Sequence, residues 1–375
     1  MEVNLGVLDS PLDNPDEIRK IDKSNMLSFQ VESASHYGQA LSIGDKVSWK
    51  NPKPDSIIIA GMGGSAIGGE IVKDWARNKA KTPIEVSRDY SLPDYADAKS
   101  LVVVSSYSGD TEETLSAFLD AKRRGCMICC ISSGGLLLEY AEKFGVPFLI
   151  VPEGMPPRAA LPYMFIPLLR WFEKVGFVSG FSEEFLEAIR VLGNVAKENS
   201  PEIPVEKNPA KTLATGIFGT IPVVYGFGIY RSAAQRFKQQ FNENSKVPAK
   251  WEYLPELDHN EIVGWEDNGN LAKHFSAIFL RSKNETDEVR SRIEITKKLM
   301  SEAVSKQFEV WSQGKNSMAN MLSTIIMGDF TSVYLAALLK VDPTPVQTIT
   351  ALKKELDTVG TKARIIGELE KLARD

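Results

Sequence analysis

Cysteine and histidine are scarce in this chain, with three of each in 375 residues. Cys126, Cys129 and Cys130 stand together in Cys-Met-Ile-Cys-Cys-Ile, so no structural disulfide framework is expected. The Cys-x-x-Cys spacing invites a metal or redox reading. A zinc site needs about four ligands, however, and no second cluster or nearby histidine completes one. Free cysteine behaves as a small hydrophobe, and a buried strand is the expectation here. Long runs of one charge are missing too. The 44 basic and 49 acidic residues leave a net charge of −5, and no Lys/Arg run suggests a nucleic-acid or membrane footprint, so an anionic ligand must be held locally. Met1 to Lys23 is polar, without an apolar signal region, and the most apolar later stretch, Phe148 to Phe172, is broken by Glu153, Arg158 and several prolines. A cytoplasmic protein of about two domains is expected, with 43% hydrophobic and 25% charged residues, an ordinary globular composition.

From Ser56 to Val151 the sequence repeats an apolar run, a turn and an amphipathic segment, which is how a parallel sheet with crossover helices is written. The strands predicted are Ile57–Ala60, Ile84–Ser87, Leu101–Ser105, Met127–Ile131 and Phe148–Val151. Helices are predicted near Ala66–Lys79, Thr111–Arg124 and Leu136–Phe144. Ligands are expected at the carboxyl ends of these strands, near the point where strand order reverses. After a Pro-rich segment, Val151 to Pro157, connecting helices are predicted at Ala159–Val175 and Glu183–Glu198. Pro222-Val223-Val224-Tyr225 then runs into Gly226-Phe227-Gly228 and a helical stretch, Arg231–Asn242, echoing the first strand, glycine turn and helix. Further strands are expected at Ser276–Leu280 and Phe308–Trp311. Helices follow at Glu285–Met300, Met318–Leu339 and Pro345–Leu356. The domains expected are 1–155, with a helical N-terminal extension, and 211–375, joined by connecting helices over 156–210.

Ser105 to Thr111, Ser-Ser-Tyr-Ser-Gly-Asp-Thr, is the most informative stretch. A hydroxyl-dense turn joins the strand Leu101–Val104 to a helix whose unpaired N–H groups and positive dipole end attract an anion such as a phosphate monoester. An ordinary capping box, Asp110 with Glu113, is the competing reading. Gly61-Met62-Gly63-Gly64-Ser65-Ala66 also follows a strand and opens a helix. It has the Gly-x-Gly-x-x-Ala form of a dinucleotide-binding turn, with Glu85 about 20 residues on. Ser65 and the second hydroxyl cluster favour one compact phosphate instead. A P-loop is excluded, because Gly68 is followed by Gly69 and Glu70 rather than Lys-Ser/Thr. Arg158 lies at a helix entry fixed by Pro156 and Pro157, either as a solvated arginine or as a guanidinium near the sheet edge. Glu243, at the end of the 231–242 helix, is either a surface carboxylate or a general base if apolar surroundings raise its pKa. His259, beside His36 and His274 the third histidine, is structural or a proton shuttle.

Together these segments resemble the sugar isomerase (SIS) domain superfamily, and within it the bifunctional phosphoglucose/phosphomannose isomerases. The resemblance rests on Gly61–Ser65, Ser106–Thr111, Pro157–Pro162, Asn242–Ala249, His259–Glu261, and Asp342–Val346 followed by Leu352-Lys353. It implies two doubly wound α/β domains, each with a mostly parallel sheet flanked by helices. It also implies an aldose–ketose isomerase of sugar 6-phosphates without a metal or redox cofactor, acting as a homodimer. Gly64, Ser65, Ser106, Ser108 and Thr111 become the phosphate cradle, and Arg158 stabilises the enediolate. Glu243 becomes the base between C1 and C2, and His259, reaching in from a second subunit, opens the ring. Lys353 is a ligand-contacting lysine in an uncertain register, because Lys354 adjoins it. Asp110 stands where an asparagine is expected, so its carboxylate must point away from a phosphate or accept from the backbone. The rival functions are a non-catalytic sugar-phosphate-binding regulator and an NAD-dependent oxidoreductase.

Overall fold

The computed structural model describes residues 10–266 and 270–374. The helices α1 (Pro15–Ile21), α2 (Met26–Val31) and α3 (Ser33–Leu41) precede a first alternation of β1 (Ser56–Gly61), α4 (Gly63–Ala76), β2 (Ile84–Ser87), β3 (Ser100–Ser105), α5 (Glu112–Arg123), β4 (Met127–Ser132), α6 (Gly135–Lys143) and β5 (Phe148–Ile150). The helices α7 (Leu161–Lys174), α8 (Phe181–Glu198) and α9 (Pro209–Ile217) lead to a second alternation: β6 (Ile221–Phe227), α10 (Arg231–Gln240), β7 (Lys250–Leu254), β8 (Phe275–Arg281), α11 (Asp287–Met300) and β9 (Lys306–Trp311). After it come α12 (Ser317–Leu338), α13 (Gln347–Val359) and α14 (Thr361–Leu372).

The chain forms two compact units that exchange its ends. One takes Ser35–Glu183 and the chain from Val346 on; the other takes the chain through Ala34 and Glu184–Pro345. This corrects the expected division at 1–155, 156–210 and 211–375, and burial explains it. In the first unit α14 puts Ile365 and Leu369 into the same core cluster as Leu115 and Phe118 of α5. There α7, with eleven buried residues, packs on α4 as part of the fold rather than as a connector. In the second unit α1 and α2 pack on α12.

The first unit's sheet has the order β2-β1-β3-β4-β5, with every pair parallel. Ile57–Ala60 and Leu101–Val104 are buried on both faces, as central strands of a parallel sheet between helix layers must be. Cys129 and Cys130 lie buried in β4, as the sequence predicts, and burial pushes both thiols well above their usual range. The second unit repeats that strand order with one strand fewer, β7-β6-β8-β9, again all parallel. Its core helix is α12, which is long and apolar enough to cross a membrane, but 89% of its most apolar window is buried inside the protein.

Candidate active site

In the first unit β1 and β3 are neighbours, and Gly61 pairs with Ser105, so the turns that follow these strands lie side by side at the sheet's carboxyl edge. The strand order reverses between these two strands, where α/β sheets open a ligand crevice. Neither turn caps its helix with a side chain: Met62 precedes α4 and Thr111 precedes α5 without a capping bond. The Asp110–Glu113 capping box is therefore not formed. The N-cap falls one residue later, on Thr111, whose Oγ1 accepts from Ser106 Oγ at 3.1 Å. The Asp110 carboxylate instead accepts from the Leu136 backbone N–H at 3.3 Å and stands 4.0 Å from Lys362 Nζ. Two uncapped helix N-termini meet at one edge, which is an arrangement suited to an anion.

The hydroxyls are held in place by their own hydrogen bonds. Ser65 Oγ accepts from the Tyr107 N–H and Ser106 Oγ from the Gly109 N–H, both at 3.1 Å; Ser108 Oγ accepts from the Asp110 N–H at 3.3 Å. Ser65 and Ser106 are buried and Ser108 is exposed. A Cβ on Gly64 would lie 2.8 Å from the Pro157 carbonyl oxygen, so the absence of a side chain lets the Pro156-Pro157-Arg158 segment close against the turn. Arg158 itself is buried. The structure thus brings Gly64, Ser65, Ser106, Ser108, Thr111 and Arg158 to one edge of one unit. Glu85, the acidic partner of the dinucleotide reading, accepts a hydrogen bond from the Tyr95 hydroxyl at 2.5 Å.

Tyr107 has no role assigned to it from the sequence. Its N–H binds Ser65, and its hydroxyl donates to the Pro152 carbonyl at 2.9 Å and accepts from the Met155 N–H at 3.0 Å. One residue therefore ties the serine turn to the glycine turn and to the loop that leads into Arg158. Burial raises its pKa, which keeps the phenol a neutral donor.

Glu243 and His259 belong to the second unit. The helix predicted over 231–242 ends at Gln240, and the chain widens into a π turn, Phe241–Ser245, that carries a half-buried Glu243. Such wide turns recur at functional sites. This one is stitched down on both sides. Asn244 Nδ2 donates to Ser332 Oγ at 2.9 Å, Ser245 Oγ donates to the Ser332 carbonyl at 2.6 Å, and Lys246 Nζ donates to the Pro343 carbonyl at 3.0 Å. Beneath it, Arg236 Nε and Nη2 grip the Asp329 carboxylate at 3.0 and 2.9 Å. Burial raises the Asp329 pKa, and the guanidinium opposes that shift. His259 ends a 3-10 turn, Glu256–His259; it is exposed and makes no hydrogen bond to the described residues. Lys353 lies exposed on α13, and among the described residues no hydrogen bond or ion pair ties it to the strand-end turns.

Residues 206–356, which span the second unit's sheet, match the family described as bacterial phospho-glucose isomerase C-terminal SIS domain, so the chain carries a SIS domain. The fold resembles the crystal structure of a glucose-6-phosphate isomerase like protein from Thermus thermophilus, with a TM-score of 0.59, 20% identity and coverage of 90% of this chain and 99% of that one. The bifunctional phosphoglucose/phosphomannose isomerase of Caldicellulosiruptor bescii is 42% identical over 331 residues, spanning 88% of this chain and 96% of that protein. The D-glucosamine-6-phosphate 4-epimerase of Sulfolobus acidocaldarius is 35% identical over 209 residues, 56% of this chain and 63% of that protein. The chain belongs to the family of bifunctional phosphoglucose/phosphomannose isomerases and is an enzyme.

Proposed function

We propose that the protein interconverts glucose 6-phosphate and mannose 6-phosphate with fructose 6-phosphate by proton transfer through an enediolate. The observation that carries this reading is the 42% identity to the Caldicellulosiruptor bescii isomerase across 96% of that protein's length. The strand-end turns supply what such a substrate needs. Ser65, Ser106, Ser108 and Thr111 offer hydroxyls, and Gly64 and the first turns of α4 and α5 offer backbone N–H groups, to a phosphate dianion. With the phosphate anchored, His259 of a second subunit moves a proton from the anomeric hydroxyl to the ring oxygen, which opens the sugar. Glu243 then takes the proton from C2 of the aldose, the electron pair forms the enediolate, the hydroxyl proton passes from O2 to O1, and the same carboxyl returns its proton to C1 as the C2 carbonyl forms. Arg158 offsets the negative charge that develops on the enediolate oxygens, and Lys353 contacts the ligand. The steps balance by proton movement alone and call for no redox cofactor. The rotatable open chain presents either C2 epimer to the same base.

The enzyme is on this reading a cytoplasmic homodimer of glycolysis and gluconeogenesis, completing each site with His259 of the neighbouring subunit. The test is a coupled assay of purified, EDTA-treated protein with glucose 6-phosphate and with mannose 6-phosphate. Activity on both is expected, and Glu243→Gln should lower kcat by about 10²–10⁴-fold; near wild-type turnover by that variant overturns the assignment of the base. The epimerase relative adds one arm, glucosamine 6-phosphate. Turnover of that compound with none on the other two would replace an isomerase by an epimerase on the same scaffold. Tight NADH binding would support the oxidoreductase, and binding of sugar phosphates without turnover the regulator.

A further inference from the structure

His259 ends one short 3-10 turn, Glu256–His259, and one residue separates it from a second, Glu261–Trp265, in a stretch that apart from Leu257 is exposed or half-buried. An exposed imidazole without a hydrogen bond to the described residues has nothing of its own to hold it at a ring oxygen. Its neighbours on either side are held. On the N-terminal side Asp258 accepts from Arg292 Nη1 and from Thr296 Oγ1 of α11, both at 2.9 Å, and Leu257 is fully buried. On the C-terminal side Glu261 Oε1 accepts from the hydroxyl of Tyr225 at 2.6 Å, and Tyr225 is a buried residue in the middle of β6. The two carboxylates thus fasten the chain to a helix and to the sheet, one residue before and two residues after the histidine. A fully buried phenol would lose its hydroxyl's hydrogen bond if the second turn moved away, which makes that anchor costly to release.

We propose that Asp258 and Glu261 are positioning residues, which fix the His259 imidazole for ring opening through Thr296 and Arg292 on one side and Tyr225 on the other. This rests on the proposed role of His259 and goes beyond it by assigning the side chains that aim the group. Holding a proton-transfer group within a fraction of an ångström of its working place is worth large rate factors. The device is therefore expected to affect ring opening far more than the later C–H step.

Ring opening can be read apart from isomerisation. Two-dimensional exchange NMR gives the enzyme-catalysed exchange between the α and β anomers of glucose 6-phosphate, and deuterium uptake at C2 from D2O gives the carbon proton transfer. Tyr225→Phe and Thr296→Val each delete one anchoring hydroxyl with little change of shape, and Thr296→Ser keeps the hydroxyl. In the double variant Tyr225→Phe/Thr296→Val the ratio of anomer exchange to C2 exchange should fall at least fivefold, with KM within twofold of wild type and Thr296→Ser at the wild-type ratio. The single variants should show the same direction and serve as the test if the double variant does not fold. A ratio unchanged in every folded variant, or both exchanges falling in parallel, overturns the proposal. Should His259→Ala exchange anomers at the wild-type rate, the role of His259 fails and takes this inference with it. Should His259→Ala abolish anomer exchange while the anchor variants leave it intact, only this inference fails.

Discussion

Gly109 admits no side chain. Its φ is +74°, and a Cβ there would lie 1.8 Å from the Gly134 carbonyl oxygen, so the serine turn and the loop before α6 meet backbone to backbone. Gly109→Ala must push that loop away or unwind the turn, and the strain is of the order of 1–3 kcal/mol for the backbone alone. Because the Gly109 N–H also binds Ser106 Oγ, the same shift dislodges a hydroxyl proposed for the phosphate cradle. The variant should therefore lose both thermal stability and affinity for fructose 6-phosphate, measured by calorimetry and by ligand titration. Loss of stability with unchanged affinity would detach Ser106 from phosphate binding. The gathering of hydroxyls at this edge was legible in the sequence, because Ser105 to Thr111 follows the apolar run Leu101–Val104 and precedes an amphipathic segment. Tyr107 was not, because its contribution is a backbone N–H and a hydroxyl aimed at two carbonyl-bearing loops, neither of which residue type reveals.

At the scale of elements, most strands and helices of both alternations were readable, since strands buried on both faces spell continuous apolar runs, as Leu101–Val104 does. The edge strand β7 was missed: Lys-Trp-Glu-Tyr-Leu interleaves charge with aromatics, the pattern of a strand with solvent at one side. The π turn at Glu243 was also invisible, because one extra residue per turn leaves no compositional mark. The helix α9 was passed over as well, and it carries an unusual group. Lys211, fully buried, donates from Nζ to the carbonyls of Pro201 and Ile203, both at 2.7 Å, which fastens α9 to the segment after α8. Burial lowers its pKa to about 8, whereas an unfolded lysine titrates near 10.4. Between those limits the unfolded chain holds a proton that the folded chain has given up, so this group's contribution to stability rises with pH, by at most about 1.4 kcal/mol per pH unit. Denaturant unfolding of wild type and Lys211→Met should show a stability difference that is flat below pH 7 and shifts in favour of wild type from about pH 8 to 10. A difference independent of pH across that window would mean that Lys211 titrates normally.

For the whole molecule the decisive feature is that chain order and spatial grouping disagree. Sequence proximity placed everything after residue 211 in one domain, yet α14 sits in the first unit, where Leu369 and Ile365 complete the core cluster of α5. Polar contacts reinforce the attachment: Glu370 accepts from Tyr140 at 3.0 Å and pairs with Lys143 at 2.7 Å, and Arg123 pairs with Glu368. The amphipathic face of α14 has no feature that names its partner, so only the fold could assign it. Since α5 begins at the Thr111 cap, the edge proposed to bind phosphate is expected to depend on a helix encoded about 250 residues later in the chain. Leu369→Ala should cost about 2–5 kcal/mol in the first unit and weaken fructose 6-phosphate binding, although Leu369 belongs to the core and not to the proposed cradle. A chain ending at Pro345 should go further, exposing Leu115 and Phe118, binding a hydrophobic dye and losing sugar-phosphate affinity. Lys353→Met separates that effect from loss of a ligand contact, since it leaves the core intact and should unfold as wild type does. If the shortened chain unfolds cooperatively at the wild-type temperature and still binds the ligand, α14 is dispensable to the first unit and the contiguous division at residue 211 is the better description.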